Sequence, residues 1–160
     1  MKYNPQNAGL HTDLGEVYWE KGNYDKVIEE YEKALKINFN YAEGHLDLGN
    51  AYFAKGWHEK ALAEIKKGIE INPELSKGYN SLGVVYLAMG NIKEGISACK
   101  KAIEVDPNFL QAYLNIGDAY HFVKKNDEAR EWYEKALKRD FNNAKAKKAL
   151  EDLGRRKMEN

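Results

Sequence analysis

The chain has 160 residues, enough for one domain with a real core and too few for two large ones. Its 25 Lys+Arg balance 25 Asp+Glu, which argues against a nucleic-acid binder driven by phosphate contacts. A single Cys excludes an intramolecular disulfide, no apolar run reaches the ~18 residues of a membrane span, and the opening Met-Lys-Tyr-Asn-Pro has no apolar core of a signal peptide. The expectation is therefore a cytoplasmic protein with neither nucleic acid nor membrane as partner.

Residues 1–7 read as a short leader. Two amphipathic helical patterns follow, at 8–21 and 24–37, and the same two patterns return at 42–55 and 58–71, at 76–89 and 92–105, and at 110–123 and 126–139. The return is strict. Gly15, Gly49, Gly83 and Gly117 are 34 residues apart, as are Tyr18, Tyr52, Tyr86 and Tyr120. Leu14, Leu48, Leu82 and Ile116 keep the step, and so do Ala34, Gly68, Ala102 and Ala136. A fixed period of this length marks stacked repeats. No strand pattern occurs, and the expected fold class is all-α.

Turn residues punctuate the pattern. Gly22-Asn23, Gly56-Trp57 and Gly90-Asn91 separate the helices of a pair, and a Gly just past a helix suits a left-handed C-cap. Asn91, with Glu94 three residues on, reads as an N-cap with a capping-box partner. Asn72-Pro73 and Asp106-Pro107 end the second helix of their pairs. The mid-helix glycines cost roughly 1 kcal/mol each relative to Ala. That cost implies close helix approach, with the small residues Ala34, Gly68, Ala102 and Ala136 as the expected matching surface. Residues 144–157 resume the first-helix pattern with no second helix. Lys145, Lys147, Lys148, Glu151, Asp152 and Arg155 would give this cap a polar outer face.

The ordered residues of each period resemble the tetratricopeptide repeat (TPR). The second period carries His45, Leu48-Gly49, Tyr52, Gly56, Ala61, Ile65, Gly68 and Pro73. The third carries Tyr79, Leu82-Gly83, Tyr86, Gly90, Gly95, Cys99, Ala102 and Pro107. Phe39 and Phe141 stand where Pro is usual, Lys124 replaces a turn Gly, and Gly95 replaces a packing Ala, which should loosen the third pair. The resemblance implies a right-handed superhelical α-solenoid of antiparallel helix pairs, with repeats at 8–41, 42–75, 76–109 and 110–143, and a capping helix and tail at 144–160. It also implies a concave groove lined by the first helix of each pair.

Catalytic chemistry finds little support. His11 and His45 occupy equivalent places in adjacent repeats, about 10 Å apart by helix packing, too far to share a metal shell near ~2 Å. His58 and His121 have no ligand partner at helical spacing, and Cys99 takes an inward place filled elsewhere by Tyr31, Ile65 and Tyr133. Glu29-Glu30 read as solvated charges on an outward face. No enzyme, metal or cofactor is expected.

The groove stripe follows from spacing. Trp19, Phe53, Leu87 and Phe122 form an apolar track, and Asn50, Asn80 and Asn115 can each donate to and accept from an extended backbone. Leu46 and Leu114 fall on the same stripe. On its acidic side lie Asp13, Glu16, Glu20, Glu43, Asp47 and Asp118, opposed only by Lys77. The last helix reverses the sign, with Lys145, Lys148, Arg155 and Arg156 against Asp152. A protein or peptide ligand, apolar with basic residues, is the expected partner. The TPR clamp for the C-terminal carboxylate of heat-shock chaperones needs cations and amides at the places of Thr12, Glu16, Asp47, Lys77 and Ser81. Only Lys77 fits, so that ligand is not expected. A monomer is favoured. The alternatives are an assembly module that forms homo-oligomers by repeat stacking, and a regulatory domain of a larger protein.

Overall fold

The computed structural model describes residues 7–158, with side chains through Gly154. The 1–7 leader, save Asn7, lies outside the described residues, as do the side chains of Arg155 and Arg156. The helices are α1 (Ala8–Glu20), α2 (Tyr24–Ile37), α3 (Ala42–Ala54), α4 (His58–Ile71), α5 (Ser76–Ala88), α6 (Ile92–Val105), α7 (Leu110–Phe122), α8 (Asn126–Leu137) and α9 (Ala144–Met158). Consecutive helices pack side by side throughout. The first helices also meet directly, α3 with α5 and α5 with α7. The molecule is an all-α repeat solenoid, and α1, α3, α5 and α7 share one wall.

The turn inside each pair is made by backbone geometry. Gly22, Gly56 and Gly90 have φ of 68°, 77° and 81°. This lets Asn23 N–H reach back to the Tyr18 carbonyl at 3.0 Å and close the helix end. Lys124 adopts φ 61° at the fourth turn, and Lys125 N–H makes the same bond to Tyr120 at 2.9 Å. A lysine there pays roughly 1–2 kcal/mol that Gly would not. Between pairs the chain extends at Asn38, Asn72 and Asp106, with φ near −131° at each. Asn38 does this without a following Pro, so Pro is not needed for the break. Phe39 and Phe141, in the Pro places, are 79% and 75% exposed.

Three expectations are corrected here. Asn91 makes no side-chain capping bond. The capping Asn side chains are instead Asn7, Asn23 and Asn143, which accept from Gly9, Lys26 and Ala146 N–H groups. Secondly, the mid-helix glycines do not face Ala34, Gly68, Ala102 and Ala136. Gly15, Gly49, Gly83 and Gly117 lie against Tyr31, Ile65, Cys99 and Tyr133. Gly68 instead lies under the start of α3, where a Cβ would stand 2.8 Å from the Ala42 carbonyl oxygen. Helix crossing explains this, since the two helices touch at different heights on different faces. Thirdly, Gly95 does not loosen the third pair. Leu87 fills the space, and a Cβ on Gly95 would stand 2.6 Å from its Cγ.

The core runs the length of the stack. One cluster joins Val27, Tyr31, Leu48, Ile65 and Val85 across three pairs. A second joins Ile96, Cys99, Ala112 and Ile116. A third joins Tyr113, Ala129 and Tyr133 to Ala146 and Leu153 of α9. The last helix thus covers the apolar side of α8 while Lys145, Lys148, Glu151 and Asp152 stay exposed.

Candidate functional site

The polar core of the first two pairs is a repeated His–Glu bond. His11 Nδ1 lies 2.7 Å from Glu30 Oε2, and His45 Nδ1 lies 2.7 Å from Glu64 Oε2. His45 Nε2 also meets the Phe39 carbonyl at 2.9 Å. Glu30 is 8% exposed, which corrects the expectation of a solvated acid. Its place on α2 faces α1, where His11 needs a partner. Burial would raise the Glu30 and Glu64 carboxyls, but Lys33 with His11, and Lys67 with His45, hold them below the usual range. These histidines are structural. Among the described residues no group of three or more His, Cys, Asp or Glu side chains could hold a metal ion. Cys99 is fully buried and its thiol is pushed up to about 12 by burial. Among the described residues no helix is long and apolar enough to cross a membrane.

The first-helix wall is built unevenly. At its ends the apolar track is open: Trp19 is 40% exposed and Phe122 is 77% exposed. In the middle it is packed. Phe53 is half-buried with its ring 5.5 Å from that of His58, and Leu87 lies over Gly95. Leu46 and Leu114 are both buried and belong to the core. The track is therefore two open aromatic ends joined by a partly covered centre.

The amides split as well. Asn115 Nδ2 donates to Asn80 Oδ1 at 2.9 Å, and Gln111 Nε2 donates to Asn115 Oδ1 at 2.9 Å. This chain ties α5 to α7. Asn50 is half-buried and lines a pocket of about 390 Å³ with Glu16, Trp19, Glu20, Tyr31 and Asp47. The pocket sits where α1, α2 and α3 meet.

The acids of this wall gather at one end. On the second helices Asp25 pairs with Lys55, Glu29 and Glu30 with Lys33, Glu64 with Lys67, Glu104 with Lys101, Glu128 with Lys125, and Glu131 with Lys135, while Glu32, Glu59, Glu70, Glu94, Asp127 and Glu134 make no ion pair among the described residues. On the first helices, Asp118 pairs with Lys145 of α9. Among the described residues Asp13, Glu16, Glu20, Glu43 and Asp47 make no ion pair. Burial first, then Glu16 and Glu43, raise Asp47 to about 6, against a weaker opposing pull from Lys77. The structure thus brings Glu16, Trp19, Asp47 and Asn50 together, and places Asn80 with Asn115. Asp13 lies exposed on α1, and Asp118 with Phe122 stands at the far end.

Sequence reasoning missed Tyr31 as part of this pocket and the His–Glu pairs. The pairs had a signal: both span 19 residues and recur one period apart. Tyr31 had a weaker one, being the Tyr counterpart of Tyr133.

Family models of the TPR repeat match residues 17–56 and 49–90, and tetratricopeptide repeat models match 76–109 and 110–143. The chain belongs to the tetratricopeptide repeat family. Among solved structures, that of MamA is 32% identical with TM-score 0.78, covering 89% of this chain and 83% of that one. YrrB, described as a TPR protein with an unusual peptide-binding site, is 23% identical with TM-score 0.77, covering 91% and 75%. The first TPR of Spaghetti (RPAP3), bound to the HSP90 peptide SRMEEVD, is 24% identical with TM-score 0.66, covering 71% and 90%. No curated protein matches the chain significantly.

Proposed function

We propose that this TPR array is a non-catalytic, cytoplasmic protein-interaction scaffold whose first-helix wall receives a peptide or helix of a partner protein. Residues 8–143 would be its four repeats and 144–160 its cap. The observation that carries this reading is the block of unpaired carboxylates on α1 and α3 beside an exposed Trp19. Five acids gathered on two neighbouring helices with no ion pair among the described residues repel one another, and a basic ligand would relieve that repulsion. Peptide binding by the TPR proteins YrrB and RPAP3 supports the class of ligand. A carboxylate-terminated chaperone peptide does not suit this wall, because Glu16 and Asp47 stand at places where such a clamp needs amides, and Asp47 is already short of compensating cations.

The test is a double substitution. Trp19→Ala with Phe53→Ala should weaken partner binding by about 2–4 kcal/mol together, with the helical circular dichroism unchanged. Full affinity in the folded double variant would exclude the wall.

One observation favours assembly as a second reading. Val17 is 43% exposed, whereas its counterparts Ala51, Val85 and Ala119 are buried against the pair before them. That open face could receive another array. Light scattering that shows a monomer at every concentration would remove this reading.

A further inference from the structure

At the far end of the stack, the fold shows how this wall holds a lysine. Lys145 of α9 sits on one carboxylate oxygen of Asp118, and the Tyr133 hydroxyl donates to the other at 2.7 Å. Tyr133 is 2% exposed. The acid is thus held from beneath by a buried phenol and from outside by an ammonium.

Three periods earlier the same register carries Glu16 for Asp118, Tyr31 for Tyr133, and Glu43 for Lys145. The acid and the phenol are kept, and the cation has become a further acid. Tyr31 is 3% exposed, as buried as Tyr133. Among the described residues its hydroxyl makes no hydrogen bond. It lines the pocket of about 390 Å³ with Glu16, Trp19, Glu20, Asp47 and Asn50. The intervening repeats do not repeat the pairing: they have Asn50 with Ile65 and Val84 with Cys99. The Tyr31 hydroxyl opens into the pocket with no protein partner, beside carboxylates that repel one another. A cation with hydrogen-bond donors seated between them neutralises the carboxylates and gives the hydroxyl a donor.

We propose that this pocket seats one basic side chain, lysine or arginine, of the bound partner segment, with its cation on Glu16 and Asp47 as Lys145 sits on Asp118. The inference rests on the first-helix wall being the ligand site. The alkyl stem lies along Trp19, whose ring is fixed edge-on to Tyr24 at 5.3 Å between centroids. The carboxylates of Glu16 and Asp47 supply the pairing. The Tyr31 hydroxyl turns its proton to Glu16, as Tyr133 does to Asp118. Lys77 faces Asp47 from α5 but leaves it short of positive charge, since Asp47 stays raised to about 6 by burial, Glu16 and Glu43. A seated cation completes what Lys77 does not.

The test pans the chain against a library of random peptides displayed on phage. Selected peptides should share a Lys or Arg. Replacing it by norleucine or citrulline should weaken binding about tenfold or more. In the Glu16→Gln, Asp47→Asn variant the same replacement should change affinity less than about twofold. That variant keeps side-chain shape and removes repulsion, and its melting temperature should match or exceed the parent's. Tyr31→Phe should narrow the discrimination partway. Selected peptides that need Trp19 and Phe53 but share no basic residue would overturn the seat and leave the wall intact as the ligand site. No selected peptide at all, or peptides indifferent to Trp19→Ala with Phe53→Ala, would overturn the wall itself. Self-association of the parent that the charge-neutral variant abolishes would give the seat to a second copy and overturn the partner assignment.

Discussion

Gly83 lies so close to Cys99 that a Cβ built on the glycine would stand 2.5 Å from the thiol sulfur, with the Gly95 carbonyl oxygen 3.0 Å away. Neither neighbour can retreat, because Cys99 is fully buried and Gly95 is pressed by Leu87. Gly83→Leu should therefore destabilise the third pair by about 1–3 kcal/mol or more through overpacking. Thermal melting checks this, and an unchanged midpoint would contradict the helix contact.

Helix α9 closes the end of the fourth pair. Ala146 is fully buried and Leu153 is 4% exposed, both in the cluster that holds Tyr113, Ala129 and Tyr133. Deleting 144–160 uncovers that cluster and removes Lys145 from Asp118. The fourth pair should lose hydrogen-exchange protection first, with aggregation on heating. Equal protection of α7 and α8 in the truncated chain would contradict the capping role.

His45→Ala tests the polar core. It removes a bond from Glu64 at 2.7 Å and one from the Phe39 carbonyl at 2.9 Å. The glutamate keeps Lys67, so the expected cost is about 1–3 kcal/mol, read from denaturant unfolding. A neutral result would mean that these bonds exchange for water without loss.

Asp47 gives a pH signature of opposite sign to an ordinary ion-paired acid. Its carboxyl is raised to about 6. Between about pH 4 and 6 the folded chain keeps a proton there that the unfolded chain has released. Its contribution to stability therefore falls as pH rises through that window and is flat above it. Glu30 and Glu64, held low, act the other way and lose stability as pH falls. The difference between parent and Asp47→Asn isolates the effect. Asn should gain on the order of 1–2 kcal/mol at pH 7, with the gain vanishing below about pH 4. A gain that does not depend on pH would contradict the raised carboxyl.

The period made most of the fold legible before any coordinates. Gly15, Tyr18 and Ala34 with their counterparts place the helices to within a residue or two, because each repeat solves the same packing problem. What the period cannot reveal is which faces touch. Gly83 meets Cys99 rather than Ala102 because crossing helices contact at one height. Nor does spacing separate burial from exposure along the wall: Trp19 and Phe122 are open, while Phe53 and Leu87 lean into the core. The acids were visible as a stripe. Their lack of partners was not, since pairing depends on where Lys145 and Lys77 reach in three dimensions.

The most direct measurement is chemical-shift mapping of a selected peptide on the isotopically labelled chain. The largest changes should fall at Trp19, Asn50, Phe53, Asn80 and Phe122, and at the backbone of Glu16 and Asp47. Changes confined to the outward residues of α2, α4, α6 and α8, with the Trp19 indole signal unmoved, would contradict it.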